Sequence, residues 1–217
     1  MMTPTGLSWR NDRLNAFDPS WNIFSDSSLK HRMTMLNDPR EAIGAALKYL
    51  GCSANTTSAD ELERAKNQLI QWKQNLAKFE SEQYKNGIAS GEYIVVQGYS
   101  GDILQVMQEN DKVSFGLPKE GTTTSIDFFV IPKDAQKVAL AHEFINYLYA
   151  PQNAASNMNF TCYLCPNTEA LNLVNPRLKT LFQEFLAEEA LQKIEIIHDL
   201  GAASSLYNKT WDEVKGA

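Results

Sequence analysis

Tyr93-Ile94-Val95-Val96-Gln97-Gly98-Tyr99-Ser100-Gly101-Asp102 is the stretch on which the fold turns. Residues 93–97 form a short apolar run rich in β-branched side chains, which predicts a strand. Gly98 to Asp102 then turns the chain into a helix that continues through Ile103, Leu104 and Met107. A β-turn-α unit of this kind implies α/β architecture, a sheet covered by helices. It also sets an aromatic, Tyr99, and an acid, Asp102, just beyond the carboxyl end of a strand, where open α/β sheets bind ligands.

Working outward, Met33-Thr34-Met35-Leu36 reads as another strand, followed by Asp38-Pro39-Arg40-Glu41. That string carries the start signals of a helix: a capping Asp, Pro at the first helical position and Glu at the third. The helix runs through Ile43, Ala46, Leu47 and Leu50 to Gly51, and the first 36 residues read as short strands and turns. Ser58-Ala59-Asp60-Glu61 opens a long amphipathic helix, its apolar positions spaced by three and four from Leu62 to Phe79. Gly87 and Gly91 read as breaks, and Val113-Ser114-Phe115 and Asp127 to Ile131 as strands flanking a turn at Pro118-Lys119-Glu120-Gly121. Past Pro132 the pattern is helical over Ala135 to Tyr149, Pro151 to Met158, Pro176 to about Leu191, and Ala202 to Val214. There is no internal repeat and no low-complexity linker.

The 217 residues carry 20 Lys and Arg against 26 Asp and Glu, a formal charge of −6, with no basic block. Sequence-independent nucleic-acid binding is therefore not expected. No run approaches a membrane-spanning length, and Met1-Met2-Thr3-Pro4-Thr5 has neither the basic nor the apolar region of a secretory signal. On that basis the chain is cytosolic or its leader lies outside it.

Cys162-x-x-Cys165, with Cys52 elsewhere, could be a disulfide, a redox motif or half of a metal site, but no second pair or nearby His completes a zinc set. Plain packing is the favoured reading. Gly98-Tyr99-Ser100-Gly101 lacks the second Gly of a hydrolase elbow, His31, His142 and His198 are scattered, and no phosphate-binding Gly-rich loop occurs.

What remains is acids and aromatics at strand ends: Asp38 and Glu41, Tyr99 and Asp102, and Asp127. Carboxylates beside aromatic faces suit a cation, because both attract ammonium groups. Each also has a plainer reading, with Asp38 and Glu41 as a capping box, Asp102 as a helix-start acid facing the dipole, and Tyr99 and Asp127 as turn residues. Capping and ligand binding can coexist.

At these residues the chain resembles the spermidine/putrescine-binding proteins of bacterial ABC importers, in the type II periplasmic substrate-binding superfamily. The likeness runs from about Thr5 to Ala217. It is carried by Leu36–Glu41, Leu50-Gly51-Cys52-Ser53-Ala54-Asn55-Thr56-Thr57, Gln97–Asp102, Leu117–Gly121, Cys165-Pro166-Asn167 and Asp199-Leu200-Gly201-Ala202-Ala203-Ser204-Ser205-Leu206-Tyr207, in that order.

The resemblance implies no catalysis and no cofactor, but a polyamine held between two lobes and presented to membrane permease subunits, outside the cytoplasm. It maps ligand contacts onto Asp38, Glu41, Tyr99, Asp102, Asp127 and Tyr163. It also implies that residues 1–125 and 173–217 form the second lobe, that 126–172 return to the first, and that most of the first lobe is absent. Ser125 and Ile197 stand where one branch has Trp and Gln, which leaves the choice between spermidine, putrescine and another cation open. The helix at Ala135 to Tyr149 would be left uncovered, so self-association through it is expected. A binding protein for another cationic or small solute, and a cytosolic enzyme using Cys162-x-x-Cys165, are the alternatives.

Overall fold

The computed structural model describes residues 1–217. In chain order the strands are β1 (Met2–Arg10), β2 (Met33–Met35), β3 (Leu76–Phe79), β4 (Val95–Tyr99), β5 (Val113–Gly116), β6 (Thr122–Ile126) and β7 (Ile194–Ile196). The first helices are α1 (Pro39–Tyr49), α2 (Ala59–Lys73), α3 (Tyr84–Ser90), α4 (Ser100–Glu109) and α5 (Val138–Tyr149). They are followed by α6 (Pro151–Thr161), α7 (Thr168–Leu171), α8 (Pro176–Leu186), α9 (Glu188–Leu191) and α10 (Ser204–Gly216). The expected α/β class is what the chain adopts, with one mixed sheet in the order β3-β2-β4-β1-β6-β7 and β5 also paired to β1.

Helices α1, α2 and α10 cover one face of this sheet. Ile43, Leu47, Leu69, Trp72, Tyr207 and Trp211 meet Leu7, Met33, Met35 and Val95 in a single buried cluster. On the other face Tyr84 and Ile88 of α3 and Ile103 of α4 pack on Val96, Leu36 and Val113. A third cluster joins Ala154, Met158 and Cys162 of the α6 end, Ala170 and Leu178, Phe182, Phe185 of α8 to Leu104. The stretch 126–172 is therefore not one packing unit: α6 and α7 share a core with α8, whereas α5 buries none of its residues.

Several elements differ from the sequence expectation. The helix from Leu62 ends at Lys73, and Leu76–Phe79 is an edge strand parallel to β2. Asn75 ties the chain elsewhere: its side-chain amide donates to Phe24 O at 3.0 Å, and its backbone carbonyl accepts from His31 N at 2.7 Å, a bond that a continuing helix would have used for its own next turn. Gly87 lies inside α3 instead of ending it, and it serves as a close-packing position, because a Cβ there would meet the Tyr93 ring at 2.2 Å. The strand expected at Asp127 to Ile131 lies earlier, over the threonines of β6, since its partner β1 runs out where Met2 pairs Ile126.

The opening read as short pieces contains a nine-residue central strand. Pro4 is tolerated because β4 pairing starts only at Thr5. With side and backbone groups alternating along a strand, the missing Pro4 N–H falls on the same side as the Met2 N–H, which turns to Leu164 O at 2.8 Å. In the C-terminal part, α8 stops at Leu186 and α9 follows after Ala187.

Candidate functional site

Topology brings the acids to one edge. β2 and β4 are parallel, so Asp38 and Tyr99 leave the sheet at the same end. β1 is antiparallel to β4, with Thr5 opposite Tyr99, and β6 is antiparallel to β1, with Thr124 opposite Pro4. The chain after β6, beginning at Asp127, therefore emerges at that edge too.

Asp38 is the cap that the sequence predicted: Oδ1 accepts from Arg40 N at 2.8 Å and Glu41 N at 3.0 Å. Glu41, one turn into α1, is buried at 3 % exposure. Its Oε2 accepts from Thr123 Oγ1 at 2.7 Å, and its backbone carbonyl accepts from Gln97 Nε2 at 3.0 Å. Gln97 Oε1 in turn accepts from Leu36 N, so one buried amide ties β4 to both ends of the β2–α1 loop. Burial pushes the Glu41 carboxyl up to about 7, against the lowering effect of the Thr123 hydrogen bond.

Tyr99 occupies the N-cap position of α4 without a side-chain cap bond and is partly buried. Burial, and then the charges of Glu41, Asp38 and Asp102, hold its hydroxyl above the usual tyrosine range. Asp102, in the first turn of α4, accepts at Oδ2 from Tyr84 Oη at 2.6 Å and at Oδ1 from Lys85 Nζ at 3.4 Å. The same Tyr84 oxygen accepts from Tyr99 N at 3.3 Å. The Tyr163 ring lies flat on the backbone of Gly101, where a Cβ would sit 2.5 Å from it. Burial and the adjacent Asp102 charge raise its hydroxyl as well.

Asp127 is exposed, four residues beyond the Thr123 that holds Glu41. It shares with Tyr163 a cavity of about 230 Å³ walled by Phe128, Phe129, Tyr149 and Met158. Of the six expected residues, Asp38, Tyr99 and the chain leading to Asp127 leave the sheet at one edge; Tyr163 lies on Gly101 next to Asp102, Glu41 is tied inward to β6 through Thr123, and Asp127 is exposed at the cavity it shares with Tyr163. Tyr84, Lys85 and Thr123 were not foreseen. Reading Gly87 as a break concealed the helix bearing the first two, and nothing local marks a threonine hydroxyl as the partner of an acid 82 positions away.

The strings 50–57 and 199–207 have a structural role. Tyr207 Oη donates to Ala54 O at 3.0 Å or Thr56 O at 2.9 Å, and Arg40 sits 4.8 Å above the Tyr207 ring. Glu195 accepts from Ser53 Oγ, from Ala54 N at 3.0 Å and from Lys48 Nζ at 3.1 Å. Burial works to raise Glu195, but these donors outweigh it and hold the carboxyl down at about 2. All three cysteines are thiols, and Cys162 is a core residue whose Sγ accepts from Gln108 Nε2 at 3.0 Å.

Residues 1–181 match the bacterial extracellular solute-binding protein family. The chain belongs to that family. It is 33 % identical over 215 residues to the putrescine/cadaverine-binding protein of Pseudomonas aeruginosa, covering 94 % of this chain and 61 % of that one. It is 31 % identical over 208 residues to the spermidine/putrescine-binding periplasmic protein of Escherichia coli, covering 93 % and 59 %.

Among solved structures, the TpPotD lipoprotein of Treponema pallidum superposes with a TM-score of 0.87 at 30 % identity, over 99 % of this chain and 67 % of that one. A substrate-binding protein from Streptococcus pneumoniae superposes at 0.86 with 20 % identity, a likeness of fold. The chain spans about three fifths of the length of the curated relatives it matches.

Proposed function

We propose that this member of the solute-binding family takes a polyamine such as putrescine or spermidine and delivers it, outside the cytoplasm, to the membrane subunits of an ABC importer. What supports the reading is the sheet topology, which brings the chain after β2 with Asp38, the end of β4 at Tyr99 and the exit of β6 toward Asp127 to one edge, with Tyr163 resting on Gly101 beside Asp102.

In this reading Glu41, with Asp38 beside it, receives one ammonium group and Asp127 another. Tyr99 and Tyr163 cover the methylene chain between them. Charged hydrogen bonds of this kind contribute about 1.5–3 kcal/mol each, and the ring faces add cation–π attraction. No bond is made or broken in the process. An ammonium group next to Glu41 relieves its burial by supplying the missing counter-charge, so the ligand binds the ionised form.

The second lobe of the two-lobed fold corresponds here to residues 1–125 and 173–217, with 126–172 reaching toward the first. Within that segment no residue from Asp127 to Tyr149 is buried, Phe128 and Val130 being 76 % and 82 % exposed, and Phe160 is 87 % exposed. An apolar surface of this kind takes a partner, either the first lobe or a second copy. A ligand bridging both lobes favours the closed form by its differential affinity.

The test is calorimetric titration of putrescine and spermidine into the complete protein that carries this chain. Binding of either amine, weakened at least tenfold in both Glu41→Gln and Asp127→Asn, supports the assignment. Unchanged affinity in both variants removes these residues from the site, and no heat with either amine overturns the polyamine reading.

A further inference from the structure

Of the four acids along the edge, Asp102 alone is paired with a cation of its own chain. Its Oδ1 lies 3.4 Å from Lys85 Nζ, and its Oδ2 takes the Tyr84 hydroxyl at 2.6 Å. Neighbouring positions of α3 supply both donors: Tyr84 is fully buried and fixes the helix, while the Lys85 side chain, 34 % exposed, reaches the acid from the solvent side. No side-chain cation pairs with the carboxylates of Asp38, Glu41 or Asp127, although Arg40 acts on Glu41 through space and the Met1 ammonium donates to the Asp127 backbone carbonyl at 2.9 Å.

The consequence is one of charge exchange. A ligand ammonium arriving at Asp102 has to displace Lys85 and so trades one ion pair for another, with no gain in paired charge. If it does not displace Lys85, it meets a like charge a few ångströms away, which is unfavourable beside a carboxylate only 20 % exposed. An ammonium arriving at Glu41 instead ionises a carboxyl that burial holds back.

We propose that Lys85 is a specificity-determining residue that holds Asp102 closed to a ligand ammonium. With Asp38 Oδ1 taken up by the two backbone N–H groups of the α1 cap, Glu41 and Asp127 are left to receive ammonium groups, and the site favours a diamine over a triamine, which needs a third acid. This inference rests on the polyamine reading above.

It is tested by titrating putrescine and spermidine calorimetrically into the complete protein and into its Lys85→Met, Lys85→Gln and Lys85→Arg forms. Removing the positive charge in either neutral variant raises spermidine affinity relative to putrescine by roughly tenfold, whereas Lys85→Arg keeps the parent ratio. A merely structural role for Lys85 would weaken both amines together. An unchanged ratio in the neutral variants, with both amines still bound, overturns the role of Lys85 and leaves polyamine binding intact. Failure of the unsubstituted protein to bind either amine overturns the polyamine reading, and this inference falls with it.

Discussion

The hydroxyl of Thr123 donates to Glu41 Oε2 at 2.7 Å, joining the first turn of α1 to the strand that carries the chain out to Asp127. This bond fixes the buried acid relative to β6. It also leaves Glu41 with a neutral donor where a cation would serve better, which is why burial dominates its titration.

Stability should fall with rising pH because of Glu41. Its carboxyl rises from an ordinary 4.5 to about 7 on folding, so the folded state holds the proton more tightly than the unfolded chain does. The associated stabilisation is complete below pH 4.5 and is lost as pH climbs to about 7, a change on the order of 3 kcal/mol. Glu41→Gln, which cannot ionise, abolishes that slope. Urea unfolding between pH 4.5 and 8 measures it, and parallel curves for parent and variant contradict the assignment.

Polyamine affinity should run the other way. The ligand needs Glu41 ionised, so binding strengthens as pH rises through about 7, while the amines stay charged. Titration calorimetry at pH 6 and pH 8 reads the difference, and in Glu41→Gln the two values converge.

Glu195 should make the fold acid-sensitive. Its carboxyl lies at about 2 in the folded chain against an ordinary 4.5, so the stability it confers is present above pH 4.5 and drains away as pH falls toward 2. Glu195→Gln weakens the neutral-pH fold and flattens the acid limb of the unfolding curve. An acid transition identical to that of the parent would show that the Ser53, Ala54 and Lys48 contacts contribute nothing.

Gly101→Ala should displace Tyr163 without harming α4. A Cβ there would lie 2.5 Å from the ring, which must move, whereas Ala is the better helix former by up to about 1 kcal/mol. The expected result is weakened amine binding with little loss of melting temperature. Undiminished binding shows that the ring position is immaterial to the ligand.

Trp72→Ala should be severely destabilising, by roughly 3–5 kcal/mol. Its ring is fully buried between Phe24 and Tyr49, and its Nε1 donates to Ser25 Oγ at 3.0 Å. Denaturant unfolding gives the value directly, and a loss below about 1 kcal/mol means the site refills. For the exposed face of α5, light scattering on the 217-residue chain should show association at micromolar concentration that Phe144→Glu reverses. A clean monomer counts against that surface as an interface.

Much of this protein was legible in its residues because the signals were local. The Asp38-Pro39 and Ser58 caps act on N–H groups two or three positions away, and the structure bears both out through bonds to Arg40, Glu41 and Glu61. The turn from β4 into α4 is likewise written in ten consecutive residues, and Asn175-Pro176 starts α8 as the pattern predicts, with Asn175 bonded to Leu178 N at 2.9 Å.

Where the outcome depended on partners far along the chain, local pattern could not supply it. Leu76 and Phe79 keep helical spacing with Leu69 and Trp72, yet they form a strand, because Met33 and Met35 offer an edge and Asn75 is bonded to Phe24 and His31. Thr122 to Thr124 carry no strand signal of their own and become β6 because β7 pairs with all three and β1 with Thr124.

By itself, the sequence determined the α/β class, the capped helices, and the residue types that line the edge. Only the tertiary structure decided that β1 lies at the centre, that α3 continues through Gly87, and that Thr123, Tyr84 and Lys85 stand beside the acids. A helix start is set by bonds within a few residues, which composition reveals. Strand neighbours and buried hydroxyl partners are set by packing between segments up to a hundred and more positions apart, which no short stretch encodes.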